Sequence, residues 1–228
     1  MMNLQNTYDL SGNRQATVRH NVLRNTYWLL ALSMIPTVLG AFVGVAFHVP
    51  MLGGGMGALL FLGLAFGFIW AIEKNKDSGL GVALLLGFTF FMGLMLTPLL
   101  SRTLGYANGG FLIMAAFGGT ATVFAVLASV ATVSKRDFSA MGNWLFAGLI
   151  VLILASVANI FLGMSALSIT ISVIAIAIFS AYILYDVQQI VNGGETNYIS
   201  ATLRLYLDVY NIFTSLLSLL GFAGGSRD

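Results

Sequence analysis

A chain of 228 residues that is 58% hydrophobic and only 8% charged, with a mean hydropathy of +0.93, cannot cover a water-soluble globule, because soluble domains carry about 25% charged residues. Its net charge of +2 comes without a long basic run, which argues against a nucleic-acid partner. Cysteine is absent, which removes disulfides and thiolate sites, and His20 and His48 stand too far apart to suggest a zinc centre, so neither a cofactor nor a resident metal is expected.

In chain order, residues 1–25 are polar and poor in large apolar side chains, and read as a flexible cytoplasmic tail. The first apolar stretch begins near Tyr27 and is too long for a cleaved signal peptide. A spanning helix needs about 20 mainly apolar residues. Seven runs qualify: 26–47, 51–72, 80–100, 109–133, 144–162, 167–191 and 201–222, the last being the least apolar. Residues 26–223 thus read as one all-α, seven-helix membrane domain, followed by a short tail at 224–228. The joints at 73–79 and 134–142 are short, as in a compact antiparallel bundle. Pro36 and Pro98 fall inside predicted helices and are expected to kink them. Gly53–Gly57 and Gly63–Gly67 have the small-xxx-small spacing of close helix packing. Trp28, Trp70 and Trp144 fall near helix ends, where amphipathic rings favour the headgroup zone.

Cations set the orientation. Arg14, Arg19, Arg24, Lys74, Lys76, Lys135, Arg136 and Arg204 fall on one side, and Arg102 and Arg227 on the other, so the N-terminus is read as cytoplasmic. If all seven helices span, the C-terminus is outside; if the seventh is re-entrant, it is cytoplasmic.

Ionisable groups within the hydrocarbon are costly and mark functional positions. Asp186, in Tyr182-Ile-Leu-Tyr-Asp-Val-Gln-Gln189, lies about one turn inside the cytoplasmic end of the sixth predicted helix. Asp208 lies about two turns inside the seventh. Both therefore occupy the cytoplasmic half, on neighbouring helices. Arg204, Asp208, Asn211, Ser215 and Ser218 share one helical stripe, and Tyr182, Asp186 and Gln189 share another. Such stripes should face the bundle interior, which makes the seventh helix a central one. Two adjacent buried carboxyls tend to share a proton, and so form a pH-sensitive pair and, once deprotonated, a transient cation site. The alternative is structural: Arg204 could neutralise Asp208, and Tyr182, Tyr185 and Tyr206 could supply hydroxyl donors. No helix-core lysine, Ser-His, Cys-His or His-Glu-x-x-His arrangement is present, and neither aspartate sits in the Gly-x-Gly-Asp setting of an intramembrane aspartyl protease, so no enzyme is expected.

These features together resemble a known family. The helix count, Asp186, the joint Asn192-Gly-Gly-Glu-Thr-Asn-Tyr198 and the stretch Leu205-Tyr-Leu-Asp-Val-Tyr-Asn-Ile-Phe213 are similar to the Bax inhibitor-1 family. Val22-Leu-Arg-Asn-Thr-Tyr27, Gly193-Gly-Glu-Thr-Asn-Tyr198 and Leu219-Leu-Gly-Phe-Ala resemble its bacterial YccA branch, over nearly the whole chain from Asn21. The resemblance implies six helices around a central seventh in the bacterial inner membrane. It also implies two activities. One is modulation of the membrane protease FtsH, associated with the YccA branch. The other is a pH-dependent calcium leak sensed by an aspartate pair, whose positions Asp186 and Asp208 match. A basic latch from the second helix belongs to that second picture, and Lys74 is the candidate here.

Overall fold

With no water in the hydrocarbon layer, every backbone N–H and C=O must be satisfied within its own segment, so apolar runs fold as helices. The computed structural model describes residues 4–49, 54–134 and 136–224, and among them there is no strand. The helices are α1 (Leu4–Ala46), α2 (Gly54–Lys74), α3 (Gly79–Met95), α4 (Thr97–Leu104), α5 (Gly109–Val133), α6 (Gly142–Leu162), α7 (Ser165–Asn192) and α8 (Tyr198–Gly224), with a 3-10 turn at Ser139–Met141 before α6. Six are long and apolar enough to cross a membrane, and seven spans result when α3 and α4, bent by 40°, count as one.

Two boundaries differ from the sequence reading. Helix α1 starts at Leu4 rather than at residue 26, so most of the segment read as a tail continues the first span as helix. The third predicted helix is broken. Pro98 stands at the first turn of α4, where its missing N–H costs nothing, so the bend expected there takes the form of a break between two helices, while Pro36 lies inside α1 as expected. The predicted C-terminal tail falls mostly at 225–228, outside the described residues.

The glycines are the clearest correction. Gly63 and Gly67 have nothing within 4 Å of where a side chain would begin, so they face away from the bundle, and Gly53 is outside the described residues. Close packing instead joins α1 to α3 and to the start of α4. A Cβ on Gly40 would lie 2.2 Å from the Phe90 carbonyl oxygen, one on Gly93 2.1 Å from that of Thr37, and one on Gly44 1.8 Å from the Thr97 hydroxyl. Trp28, Trp70 and Trp144 project outward, as headgroup anchors do.

Helix α8 packs against α7, α5 and α1, and also touches α2, α3 and α4. Its Leu205, Tyr206, Ile212 and Leu217 are fully buried. At about 1.5 Å per residue, its 27 residues run the full depth of the bundle. They start beside the α2–α3 loop, where Asn197 Nδ2 donates to the Lys76 carbonyl (3.0 Å) and to Asp77 Oδ1 (2.8 Å). They end where Asn108 Nδ2 donates to the Gly224 carbonyl (2.6 Å). The last helix therefore runs unbroken from one end of the bundle to the other.

Candidate functional site

The turn between α7 and α8 sets the register of the two aspartates. Gly193 ends α7 with φ +81°, a left-handed conformation that glycine adopts freely, and the N–H groups of Gly194 and Glu195 return to the Gln189 carbonyl at 2.8 and 3.0 Å. Asn197 then starts α8, its Oδ1 accepting from the N–H groups of Ile199 (2.9 Å) and Ser200 (3.1 Å). Glu195 stiffens the loop between them: Oε1 accepts from Thr196 and Asn197 N–H, each at 2.9 Å, and Oε2 pairs with Arg204 at 3.3 Å. The last turn of α2 closes over this turn, with Ser200 Oγ donating to Glu73 Oε2 at 3.0 Å.

Behind that turn Asp186 and Asp208 are both buried, with 6% and 4% of their surface exposed. Their carboxyl groups lie near enough to feel each other's charge. Asp208 Oδ2 is buried with no hydrogen-bond partner among the described residues. Carboxylate oxygens only accept, so the two can hydrogen-bond to each other only when one carries a proton. Arg204 and Glu195 lie near enough for Asp186 to feel their charge, and Tyr182 feels both aspartates.

The remaining expected residues fall in different places. Arg204 is exposed and bound to Glu195, so its ion-pair contact goes to the loop and it serves Asp208 only from a distance. Asn211 donates to its own helix at the Leu207 carbonyl (2.8 Å), and Ser215 is buried further along the stripe. Tyr182 is half-buried against Phe179. Tyr206 turns away from the pair: its hydroxyl meets Thr37 Oγ1 at 2.9 Å and donates to the Thr89 carbonyl at 3.4 Å. Lys74, the candidate latch, places its ammonium over the Trp70 ring on its own helix, 4.9 Å from the centroid. Instead, the contact from α2 to α8 runs through Glu73.

Sequence reasoning chose Gln189, which is half-buried, and missed Gln188 beside it. Gln188 is 3% exposed; its Oε1 accepts from Phe138 N–H and its Nε2 donates to the Arg136 carbonyl, so it clips the α5–α6 loop to α7. The available signal was a polar side chain on the same helix one residue out of the predicted stripe. Gln188→Ala is expected to lower stability by about 1–3 kcal/mol, the cost of losing two hydrogen bonds that tie the α5–α6 loop to α7. Gln189→Ala should cost less. Thermal unfolding of the two purified variants in detergent checks the order.

Among the described residues no group of three or more His, Cys, Asp or Glu could hold a metal. Two carboxyls are few for calcium, which takes about six to eight oxygens, so the pair suits a passing cation better than a resident one.

A sequence profile described as "Inhibitor of apoptosis-promoting Bax1" matches residues 19–225. The chain is 41% identical, over 92% of both chains, to a protein of Escherichia coli K12 named "Modulator of FtsH protease YccA". The same identity and coverage are found with "Inner membrane protein YccA" of E. coli O6:H1. An uncharacterized membrane protein of Vibrio cholerae is 40% identical over 89% of both chains.

Proposed function

Because this chain belongs to the Bax inhibitor-1 family, we propose that it is an inner-membrane modulator of FtsH-type proteolysis. The observation that carries this reading is the nearly full-length similarity to a relative named for that role. On this reading the protein is not an enzyme, and its partners are the lipid bilayer and the protease. The N-terminus lies in the cytoplasm, a placement supported by Arg19, Arg24, Lys74, Lys76, Arg136 and Arg204 gathering at one end of the bundle. Helix α8 is the central helix, as its burial and its contacts with α1, α2, α3, α4, α5 and α7 suggest. The test is co-reconstitution of the chain with FtsH in liposomes, following degradation of a membrane-protein substrate. A folded bundle that engages the protease occupies it, so slower degradation, saturating as the chain approaches the amount of protease, is expected. An unchanged rate at a large excess of folded chain would sink the reading.

A second reading has its own observation, two buried aspartates within reach of each other's charge, with Asp208 Oδ2 lacking a hydrogen-bond partner among the described residues. On this reading the pair is a proton-sensitive gate on a cation leak, for calcium or a similar ion. Asn211 and Ser215 continue the polar stripe beyond it, and Tyr182 and Gln189 flank it on α7. Lys74 has no part in this version, and Glu73 replaces it as the tie from α2. The two readings are compatible, since one uses the outer surface of the bundle and the other its interior.

A further inference from the structure

Arg204 stands beside two acidic groups and holds one of them. Its Nη2 pairs with Glu195 Oε2 at 3.3 Å, and 48% of the arginine side chain is exposed against 14% of the glutamate's. The second group is Asp208, four residues further along α8. At that spacing two helical residues share a face, with Cβ atoms about 5–6 Å apart, and side chains lean toward the N-terminus of their helix. Asp208 therefore leans toward Arg204, and both aspartates lie within reach of the Arg204 charge. Asp208 Oδ2 is enclosed without a hydrogen-bond partner among the described residues, while a guanidinium with five donors stands one turn away.

The two sides of the ion pair differ in freedom. Glu195 is anchored in its loop, with Oε1 accepting from the N–H groups of Thr196 and Asn197. Arg204 is long, half-exposed and held by a bond open to water, which is a weak restraint. The charges that α2 and its loop bring to this end are engaged elsewhere: Glu73 with Lys76 and Ser200, Asp77 with Asn197, and Lys74 with the Trp70 ring. Asp186 and Tyr182 bear on Asp208 from α7, and neither carries a positive charge. We propose that Arg204 exchanges between Glu195 and Asp208, and that Glu195 is the positioning residue that holds it off the aspartate pair. On Glu195, the guanidinium leaves the pair its own charge. On Asp208, it supplies the unmet oxygen with a donor and sets a fixed cation where an ion would pass. That last consequence rests on the cation-leak reading; the exchange itself does not.

The test is thermal unfolding of the full chain in detergent at pH 8, over a cycle of E195Q, R204Q and D208N. E195Q removes the charge but keeps an amide oxygen for the Thr196 and Asn197 N–H groups. In the parent, E195Q should cost little, because Arg204 moves to Asp208. In D208N that refuge is gone, and E195Q should lower Tm by about 2 °C more than it does in the parent, as expected of residues coupled through a shared partner. The difference should vanish when Arg204 is replaced in both backgrounds by R204Q. An equal cost of E195Q in parent and D208N would overturn the exchange. So would a difference that survives R204Q, since that is direct repulsion between Glu195 and Asp208. If D208N does not fold, a crystal structure of E195Q decides: the guanidinium on Asp208 is expected, and a guanidinium left in solvent overturns the proposal. Calcium flux at pH 8 tests the consequence separately, with R204Q passing more than the parent and E195Q less, about tenfold apart. Two variants that break one ion pair would move together if its role were only structural. Folded parent without flux would remove the leak reading and leave the exchange to the unfolding data.

Discussion

A leucine at Gly93 is expected to prevent the bundle from closing. Two lipid-facing helices gain no hydrophobic energy by meeting, since lipid tails are as apolar as leucine, so association depends on close packing and on polar bonds between helices. Gly93 places α3 against the α1 backbone so closely that even a methyl would overlap the Thr37 carbonyl carbon at 2.8 Å as well as its oxygen at 2.1 Å. Both are backbone atoms, which cannot turn aside as a side chain would. A larger residue must push the helices apart, and that separation also strains the bond from Thr37 to Tyr206. Overpacking of this kind typically costs about 1–3 kcal/mol. Loss of the shared contacts brings the expected penalty for Gly93→Leu to about 3 kcal/mol or more, a large share of the roughly 5–15 kcal/mol that holds a domain folded. Gly63→Leu, where nothing lies within 4 Å, should stay within about 0.5 kcal/mol. Denaturation of both variants in detergent decides the matter. A Gly93→Leu protein as stable as Gly63→Leu would show that the α1–α3 contact is dispensable.

The second large effect is expected at the aspartate pair, on calcium flux into dye-loaded proteoliposomes across about pH 6–8, a range that buried carboxyls can reach. On the proposed gate reading, the sign follows from charge. At the acid end a proton shared between Asp186 and Asp208 holds them together and closes the path. As pH rises that proton leaves, two negative charges face each other in a water-poor interior, and repulsion separates α7 from α8. Flux should therefore rise with pH, by up to about tenfold per pH unit if one proton controls the gate. Other groups bearing on the pair are Arg204, already engaged by Glu195, and Tyr182. Asp186→Asn and Asp208→Asn each leave an amide that can still hydrogen-bond but cannot titrate, so each should make flux indifferent to pH while the protein remains folded. Folded parent protein with no flux above empty vesicles would assign the aspartates a structural role, and leave protease modulation as the surviving reading.

Much of this was legible in the sequence, and the misses share a cause. Run length and polar punctuation located the spans, because the bilayer demands about 20 apolar residues from each. Depth and periodicity brought Asp186 and Asp208 together, because helical geometry fixes where a residue sits along a known axis. What failed was any reading that needed the rotation of an apolar helix. On α2 every face is apolar, so nothing in the pattern showed that Gly63 and Gly67 do not pack, whereas on α1 the signal was Ser33 and Thr37, which share a helical stripe with Gly40 and Gly44. The same gap put Gln189 in place of Gln188, and turned Tyr206 toward the aspartates when it faces α1 and α3. Arg204 was a different error. It was judged by its distance along α8, while its partner, Glu195, lies in the preceding loop.

The tyrosines of α8 also fix an order of assembly. Tyr206 reaches Thr37 on α1 and the Thr89 carbonyl on α3, and Tyr210 donates to the Met92 carbonyl on α3 at 3.2 Å. Helices α1 and α3 leave the ribosome long before either tyrosine is made, since chains grow at about 5–20 residues per second. Their glycine contact can form early, but it waits with one polar face unmet. The final helix is thus the piece that seals the nascent bundle, and a chain cut short before Tyr198 would present that unsealed face to whatever surveys the membrane for incomplete proteins.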